Sequence, residues 1–359
     1  MGLFRAKPAP AFGVSNIKAA AGRSVLPSTL SQNVVGAKAE RALSIPTVTR
    51  AVGLISSTIA SLNLRSYYLE WNPTTSEYDK RYVLGESWFT RPDPKVTRQF
   101  VMSNLVSDLL LYGKAFLYTT SRYATGFPAT FQWLPANSIT STDQGDDVWF
   151  TTADDLYYNG VELDTANVVQ FLSPQEGILY AGNRTIDIAQ KLDESARRFA
   201  SNSIAQGYLQ QTDGEPMSGE ELTELASAWA QARATNAIGA LNQHVTFSEF
   251  KSNPNLLQLL ESRQHSALEL ARLCQVPAYL VGVSISGMTY QNAQQARQDL
   301  LTFGASPFLT CIAETLSGDN VIAKGKHIEF DTDAYLRTFA IETADNIGRP
   351  QTEQETDRD

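Results

Sequence analysis

The sequence has few of the residues that bind metals or form disulfides. It contains two cysteines, Cys274 and Cys311, and three histidines, His244, His265 and His327. Both cysteines lie in helical apolar patterns, which favours small buried side chains. No histidine is placed near a cysteine or another histidine at the spacing of a zinc or haem site. We therefore expect no metal site and no cofactor.

Long hydrophobic runs are also absent. No apolar segment approaches the roughly 20 residues that a membrane helix requires. Residues 1–7 lack the apolar core of a secretory signal, and Ala6 stands where an N-myristoylation motif needs serine or threonine. These absences lead us to expect an intracellular protein that does not bind membranes.

Motifs for nucleotide binding and catalysis are missing too. No P-loop or dinucleotide-binding glycine motif is present, which argues against an ATP-driven motor. Residues 282–287 are similar to the nucleophile elbow of hydrolases, but Ser286 stands where the second glycine is needed and no matching Asp and His follow. Pairs of carboxylates occur only in predicted turns or in the first turn of a predicted helix. Solvent-exposed acidic side chains are common at such positions and need no catalytic role. We expect no catalytic residue.

What the sequence does contain is typical of a folded protein. Hydrophobic residues make up 43 % of the chain and charged residues 19 %, a balance that excludes a disordered protein. A length of 359 residues exceeds what one core usually supports, so two or more substructures are expected. The net charge of −9 argues against a protein that grips the phosphate backbone.

The two ends of the chain differ from the rest. Residues 1–41 are rich in Ala, Ser, Gly and Pro, lack a sustained period, and carry six basic side chains against one acidic side chain. They are expected to form a flexible basic arm. The polar residues 341–359 are expected to form a disordered tail.

Apolar spacing predicts the first elements of the body. Steps of three and four residues predict a helix over 46–62 and another over 100–112 that stops at Gly113. Alternation around an Asn-Pro-Thr-Thr turn predicts two strands within 64–84, and short aromatic runs over 127–172 predict a small β-rich unit.

Two long helices are predicted farther along, over 185–205 and from Pro254 to Cys274. The second would be a rod of roughly 30 Å, and its narrow apolar seam suits packing between side-by-side helices of a bundle or ring. Between them, Ser218 and Glu221 form a capping box that starts a helix. A short strand at 245–247 follows, and a final strong helix is predicted over 292–316.

Residues 272–282, Arg-Leu-Cys-Gln-Val-Pro-Ala-Tyr-Leu-Val-Gly, form a helix end in Val-Pro that is followed by Leu and Gly. A Tyr- and Asn-containing helix start follows at 290–295, and a proline lies within the next helical pattern at 305–309. In these motifs, and in 44–62, 111–116 and 133–135 upstream, the chain resembles the HK97-type portal proteins of tailed bacteriophages, where they occur in the same order. The resemblance covers roughly residues 42–317.

This resemblance implies an α+β portal-type fold with an α/β wing, a two-helix stem, a small α/β clip and a channel loop. The implied segments are an arm (1–41), the wing (42–182), stem helices (183–205 and 251–277), the clip between them (206–250), the tunnel loop (278–291), a wing helix with a short crown remnant (292–340), and the tail (341–359). Two departures are a short region after 317 and the replacement of the usual Gly-rich stem entry at 182–184.

The resemblance also implies candidate site residues. The tunnel loop residues implied to line a DNA channel are Val283, Ser284, Ile285, Ser286, Gly287, Met288, Thr289 and Tyr290. The implied stem-packing residues are Leu192, Phe199, Leu256, Leu260, Ala267 and Ala271. The implied clip residues facing the terminase are Leu222, Leu225, Trp229, Val245 and Phe247.

The implied function is that of a non-enzymatic portal, or head-tail connector. Twelve chains would form a ring at one capsid vertex, assembled in the host cytoplasm, that packages and ejects double-stranded DNA. The implied partners are the terminase large subunit, a head-completion or adaptor protein and the major capsid protein. Twelve chains of −9 would carry about −100, so an acidic channel would repel DNA from its wall.

Two alternatives remain open at this point. One is a different virion structural protein, such as a minor capsid or head-completion protein, which would not form a closed ring of twelve. The other is an intracellular hydrolase that uses Ser284, whose activity would require that hydroxyl.

Overall fold

The computed structural model describes residues 28–144, 148–200, 207–234, 244–249, 258–283, 293–333 and 335–336. It divides into two compact units: the smaller one is Ile188–Ser266, and the larger one comprises the described residues on either side of it in the sequence. The mixed α and β architecture expected from the sequence is confirmed.

The elements alternate between helices and short strands. The helices are α1 Ser28–Leu43, α2 Pro46–Ser61, α3 Arg98–Tyr112, α4 Ile178–Ala181, α5 Asn183–Ala200, α6 Gly219–Ala234, α7 Leu259–Leu273, α8 Ala293–Asp299 and α9 Ser306–Leu316. The strands are β1 Leu64–Asn72, β2 Glu77–Val83, β3 Lys114–Arg122, β4 Pro128–Leu134, β5 Ile139–Thr140, β6 Leu156–Tyr158, β7 Val161–Leu163, β8 Val168–Leu172, β9 Gly207–Gln211, β10 Val245–Glu249 and β11 Lys326–Phe330.

Helices α2 and α3 pack together in the core of the larger unit. Pro46 lies in the first turn of α2, where its missing N–H leaves no helical bond unmade. Thr97 caps α3 by accepting a hydrogen bond from the Phe100 amide at 3.2 Å. Gly113 ends α3 with φ +74°, a left-handed conformation that glycine adopts without strain. Both helices were predicted from their apolar spacing and are confirmed.

The end of α2 is closed by a side chain from α3. Arg98 donates from Nη1 to the Ala60 carbonyl at 2.9 Å and from Nη2 to the Leu62 carbonyl. The last carbonyls of a helix have no partner within it, and these bonds supply one. Burial lowers the pKa of Arg98.

Three antiparallel three-stranded sheets complete the larger unit, in the orders β4-β3-β8, β5-β6-β7 and β11-β1-β2. Phe116 on β3 is fully buried in the cluster that covers the first two sheets, and Trp149 packs edge-on against it at 5.5 Å. The Nζ of the buried Lys114 lies 3.7 Å from the centre of the Trp149 ring. The predicted strands over 64–84 are confirmed as the β1–β2 hairpin.

The predicted final helix is present but contains a π turn, Leu300–Ala305, between α8 and α9. Pro307 follows this turn and lies in the first turn of α9. A π turn widens the helix where proline cannot donate a hydrogen bond. A Cβ at Gly304 would lie 3.4 Å from the Gln275 carbonyl and 3.7 Å from Ile55, so the small residue lets these segments approach closely.

The expectation of a flexible arm over 1–41 was wrong for residues 28–41, which lie in α1. Ala39 and Ala42 of this helix are buried, at 6 % and 0 % exposure. Small side chains allow close packing although they give α1 little amphipathic period, which is why the sequence pattern missed it. Residues 1–27 and the predicted tail lie outside the described residues.

Among the described residues after α9, strand β11 joins the sheet of β1 and β2. Strand β11 pairs antiparallel with β1, with Leu64 opposite Phe330 and Tyr68 opposite Lys326. Within the part of the chain that the structure describes, no single helix is long and apolar enough to cross a membrane. The bent pair Gly36–Leu43 and Pro46–Ser61 meets that test only when both helices are taken together.

Candidate functional site

The segment that leads into the predicted tunnel loop begins with a sharp end to α7. The Gln275 amide donates to the Arg272 carbonyl and the Val276 amide donates to the Ala271 carbonyl, both at 3.0 Å. Gln275 has φ +56°, a left-handed conformation. This is the Schellman pattern of helix termination, and it turns the chain directly into Pro277.

A second turn of the same kind follows at once. Ala278–Val281 forms one 3₁₀ turn, and Gly282 ends it with φ +84°. The Val283 amide closes the turn by donating to the Ala278 carbonyl at 3.0 Å. Backbone hydrogen bonds therefore fix the chain up to Val283, the first of the predicted channel residues.

Two side-chain contacts anchor this turn, which we call the loop root (276–283). The Tyr279 hydroxyl donates to Oδ2 of Asp299, on α8, at 2.9 Å. Nε of Arg50, on α2, donates to the Leu280 carbonyl at 3.5 Å. The loop root is thus joined to α8 on one side and to the core helix α2 on the other.

The predicted loop residues themselves are not all covered by the structure. Val283 is half-buried at the end of the loop root. The other predicted channel residues lie outside the described residues: Ser284, Ile285, Ser286, Gly287, Met288, Thr289 and Tyr290. Their role in lining a channel stays a prediction.

The context of Ser284 does not fit a nucleophile elbow. That motif places its serine at a sharp turn between a strand and a helix. Here a helix, α7, and a 3₁₀ turn precede Ser284. Among the described residues no group of three or more His, Cys, Asp or Glu side chains could hold a metal ion. The hydrolase alternative therefore loses its structural basis.

The predicted stem helices are present as α5 and α7, and both begin or end in the smaller unit. Within that unit Arg263 pairs with Asp193 at 2.9 Å and joins the two helices. Leu192 is half-buried and Leu260 is 69 % exposed. Leu256 and the Phe199 side chain lie outside the described residues.

Two predicted stem-packing residues belong to the larger unit instead. Ala267 and Ala271 lie in the part of α7 that clusters with that unit. Ala271 is 1 % exposed and Ala267 is half-buried within the single chain. The stem-packing role predicted for these residues stays a prediction.

The predicted clip has a small apolar cluster in the smaller unit. The rings of Trp229 and Phe247 lie 5.5 Å apart, and Val245 is 6 % exposed. Leu225 is half-buried, whereas Leu222 is 45 % exposed on α6. The cluster joins α6 to the β9-β10 sheet, which is antiparallel.

The start of α6 has the capping box that the sequence predicted. The Glu221 carboxylate accepts from the Ser218 amide at 2.8 Å, and the Glu221 amide donates to the Ser218 hydroxyl at 3.3 Å. The bonds from Ser218 lower the pKa of Glu221. Residues 206–250 contain six carboxylates and one arginine, so this segment is strongly acidic.

Sequence reasoning missed the side chains that hold the loop root. Tyr279 and Asp299 are 20 residues apart, on opposite sides of the predicted loop, and no spacing rule links them. Arg50 stands out only as the single charged residue of α2. A single charged residue in an otherwise uncharged helix could have indicated that Arg50 makes a specific contact.

Comparisons with known proteins identify a family. A family model described as phage portal protein matches residues 46–345. A protein described as a probable portal protein of Streptomyces phage phiC31 is 26 % identical over 316 residues, which are 78 % of this chain and 66 % of that protein. This chain therefore spans just under two thirds of the length of that relative.

Solved structures show the same fold. An HK97 family phage portal protein from Corynebacterium diphtheriae is similar with a TM-score of 0.66 and 24 % identity, over 83 % of this chain and 97 % of that one. A chain in the neck of a native gene transfer agent particle, computed with C12 symmetry, is similar with a TM-score of 0.58 and 16 % identity, over 95 % of both. Because the family model covers most of the sequence, this chain belongs to the phage portal protein family.

Proposed function

We propose that this chain is the subunit of a twelve-membered portal ring at one vertex of a virus-like particle, through which double-stranded DNA is packaged and later ejected. The portal family is structural rather than enzymatic, which agrees with the absence of a catalytic motif in the sequence. The neck chain of similar fold in a particle computed with C12 symmetry supports the number twelve.

The observation that carries the proposal is the loop root. Hydrogen bonds from Tyr279 and Arg50 fix the chain just before residue 284, and α8 begins just after residue 292. The nine residues between, 284–292, contain no charged side chain. A segment that touches moving DNA must not bind phosphate tightly. Lysine or arginine side chains would bind phosphate and slow the DNA.

The remaining roles follow from the same family. Helices α5 and α7 would form the stem, and residues 206–250 would form the clip, whose acidic surface would dock the terminase large subunit and later a head-completion or adaptor protein. Residues 42–182 and β11 would form the wing, which would meet the major capsid protein. The particle would be assembled in the host cytoplasm.

A charge placed in the loop tests the channel. Ile285→Arg should leave ring assembly intact but slow DNA packaging, because the guanidinium would bind phosphate in each passing turn. The defect should shrink as salt rises and screens that attraction. The measurement is a packaging assay at several salt concentrations, with rings checked by electron microscopy.

Ile285→Gln is the matched control, since it adds a side chain of intermediate length and polarity without charge. It should package at close to the wild-type rate. Normal packaging by Ile285→Arg rings would show that the loop does not touch DNA, and loss of rings would assign the loop to assembly. A wild-type chain that forms no ring at any concentration would contradict the portal role itself.

A further inference from the structure

One face of the β11-β1-β2 sheet exposes large apolar side chains to solvent. The register pairs Trp71 with Tyr78 and Leu69 with Lys80, and alternation along the strands places Tyr82 on the same face. The exposed fractions are 46 % for Leu69, 54 % for Trp71, 64 % for Tyr78 and 49 % for Tyr82. We call these four apolar side chains the hairpin face.

One end of this face is held rigid by a charged cluster. Glu329 on β11 accepts hydrogen bonds from Arg65 Nε at 2.6 Å, Lys80 Nζ at 2.5 Å and the Tyr82 hydroxyl at 2.9 Å. The Arg65 guanidinium also lies 4.6 Å from the centre of the Tyr82 ring. A surface fixed in this way loses little side-chain entropy when a partner covers it.

The other end of the face is apolar. The rings of Trp71 and Tyr78 meet edge to face at 5.1 Å. Each aromatic side chain offers roughly 150–250 Å². With about half of that area exposed on three aromatic residues and on Leu69, the face amounts to several hundred Å², the size of the largest apolar patch on a typical monomer.

We infer that the hairpin face packs against a second copy of this chain, as one of the contacts between neighbours in the ring. The inference rests on the proposed ring. A closed ring needs two different surfaces on each chain that fit each other, because its contacts run head to tail. Aromatic side chains with polar tips are the ones enriched at the centres of such contacts.

Charge favours a second copy over duplex DNA. Residues 64–83 contain three basic and three acidic side chains, so the hairpin is neutral within a chain of −9. Two copies that carry the same net charge repel one another least where the surfaces in contact are themselves neutral. Duplex DNA fits this face poorly, because Arg65 and Lys80 are already paired with Glu329.

Strand geometry adds a second attachment. Within the described part of the chain β2 lies at the edge of its sheet, and Glu77 to Tyr82 are all exposed. An edge strand offers backbone groups with which another chain can pair.

The test removes the face and measures assembly. Trp71→Ser with Tyr78→Ser should raise the concentration at which half of the chains are in rings at least tenfold, as measured by mass photometry. Phe150→Ser is the control, since Phe150 is 86 % exposed on another part of the larger unit and its removal should not change the curve. Circular dichroism of the dilute chains checks that the variants are folded.

A fluorescence measurement gives an independent result should the double variant fail to fold. Trp71 should move from water into a contact on assembly, so the wild-type emission should shift to the blue, and Trp71→Phe should lose that shift. Two results would contradict a contact at the hairpin face: the double variant forms rings like wild type, or Trp71→Phe keeps the emission shift. Neither result would contradict the proposed ring. A wild-type chain that stays monomeric would overturn both.

Discussion

Asp108, a residue of α3, is a carboxylate in an apolar core. It is 6 % exposed, and its Oδ2 accepts hydrogen bonds from Trp133 Nε1 at 2.9 Å and from the Ala136 amide at 3.1 Å. Burial raises the pKa of Asp108 to about 7, and these two donors oppose the rise. Burial, and then the nearby Asp108, raise the pKa of Tyr112.

The raised pKa of Asp108 makes stability depend on pH. In the unfolded chain the group ionises near pH 4, whereas the folded chain resists ionisation until about pH 7. Its contribution to the free energy of unfolding is therefore complete below pH 4 and is lost as the pH rises toward 7. From pH 5 to pH 8 the loss should be about 2 to 3 kcal/mol.

Asp108→Asn should remove this dependence, because its amide oxygen still accepts from Trp133 and Ala136 and does not ionise. Urea unfolding at pH 5, 6, 7 and 8 measures the difference between wild type and variant. Asp213→Asn, at an exposed position, should follow the wild-type curve. Parallel pH curves for Asp108→Asn and wild type would mean that Asp108 is ionised in the folded chain throughout this range.

At the scale of elements, the loop root depends on one hydrogen bond between segments that are distant in sequence. Tyr279→Phe removes the hydroxyl that donates to Asp299 and keeps the aromatic ring of the side chain. Loss of such a bond to a carboxylate is worth about 1.5–3 kcal/mol. The loop root should then open more often, and chymotrypsin should cut at Tyr290 at least tenfold faster than in wild type, because about 1.4 kcal/mol corresponds to a factor of ten.

Tyr180→Phe is the matched control for this substitution. The Tyr180 hydroxyl is buried and has no hydrogen-bond partner among the described residues, so its removal should leave the cleavage rate unchanged. Equal cleavage of the Tyr279→Phe and wild-type chains would show that the backbone turns alone hold the loop root. Mass spectrometry of the fragments identifies the bond that is cut.

The elements with a strong period could be predicted from the sequence. Val48, Val52, Ile55 and Ile59 recur on one face of α2, and the structure buries them all. Helix α1 was missed because it buries alanines, and composition alone makes alanine-rich segments ambiguous. The π turn before Pro307 was also missed, since proline predicts a break but not its form.

The candidate site could be predicted only in part. The Val276-Pro277 pair correctly marked the end of α7, because the residue before proline avoids the helical conformation. The left-handed conformation of Gln275 had no signal, as glutamine rarely adopts it. Contacts such as Arg50 with the Leu280 carbonyl depend on the tertiary fold, which no local pattern records.

At the scale of the whole molecule, net charge should govern assembly. Each chain carries −9, so neighbours in a ring repel one another at low ionic strength. Salt shortens the reach of that repulsion, from roughly 14 Å at 0.05 M to about 4 Å at 0.5 M. At a fixed protein concentration, mass photometry should therefore show a larger fraction of chains in rings at about 0.5 M NaCl than at about 0.05 M.

Potassium glutamate at the same ionic strengths serves as a control for specific effects of chloride. Rings that dissociate as salt rises would show that ion pairs between neighbours outweigh the net repulsion. That result would indicate that charged side chains, and not the neutral hairpin face, form the main contact between neighbours.

The loop root has a consequence for engineering. Its geometry is set by backbone hydrogen bonds at 274–283 and by Tyr279 and Asp299, none of which lies within 284–292. A foreign segment grafted between Val283 and Ala293 would leave all of these contacts in place. If twelve such segments line the channel, exchanging them would change the diameter of the channel and the chemistry of its lining, while the rest of the fold stays the same.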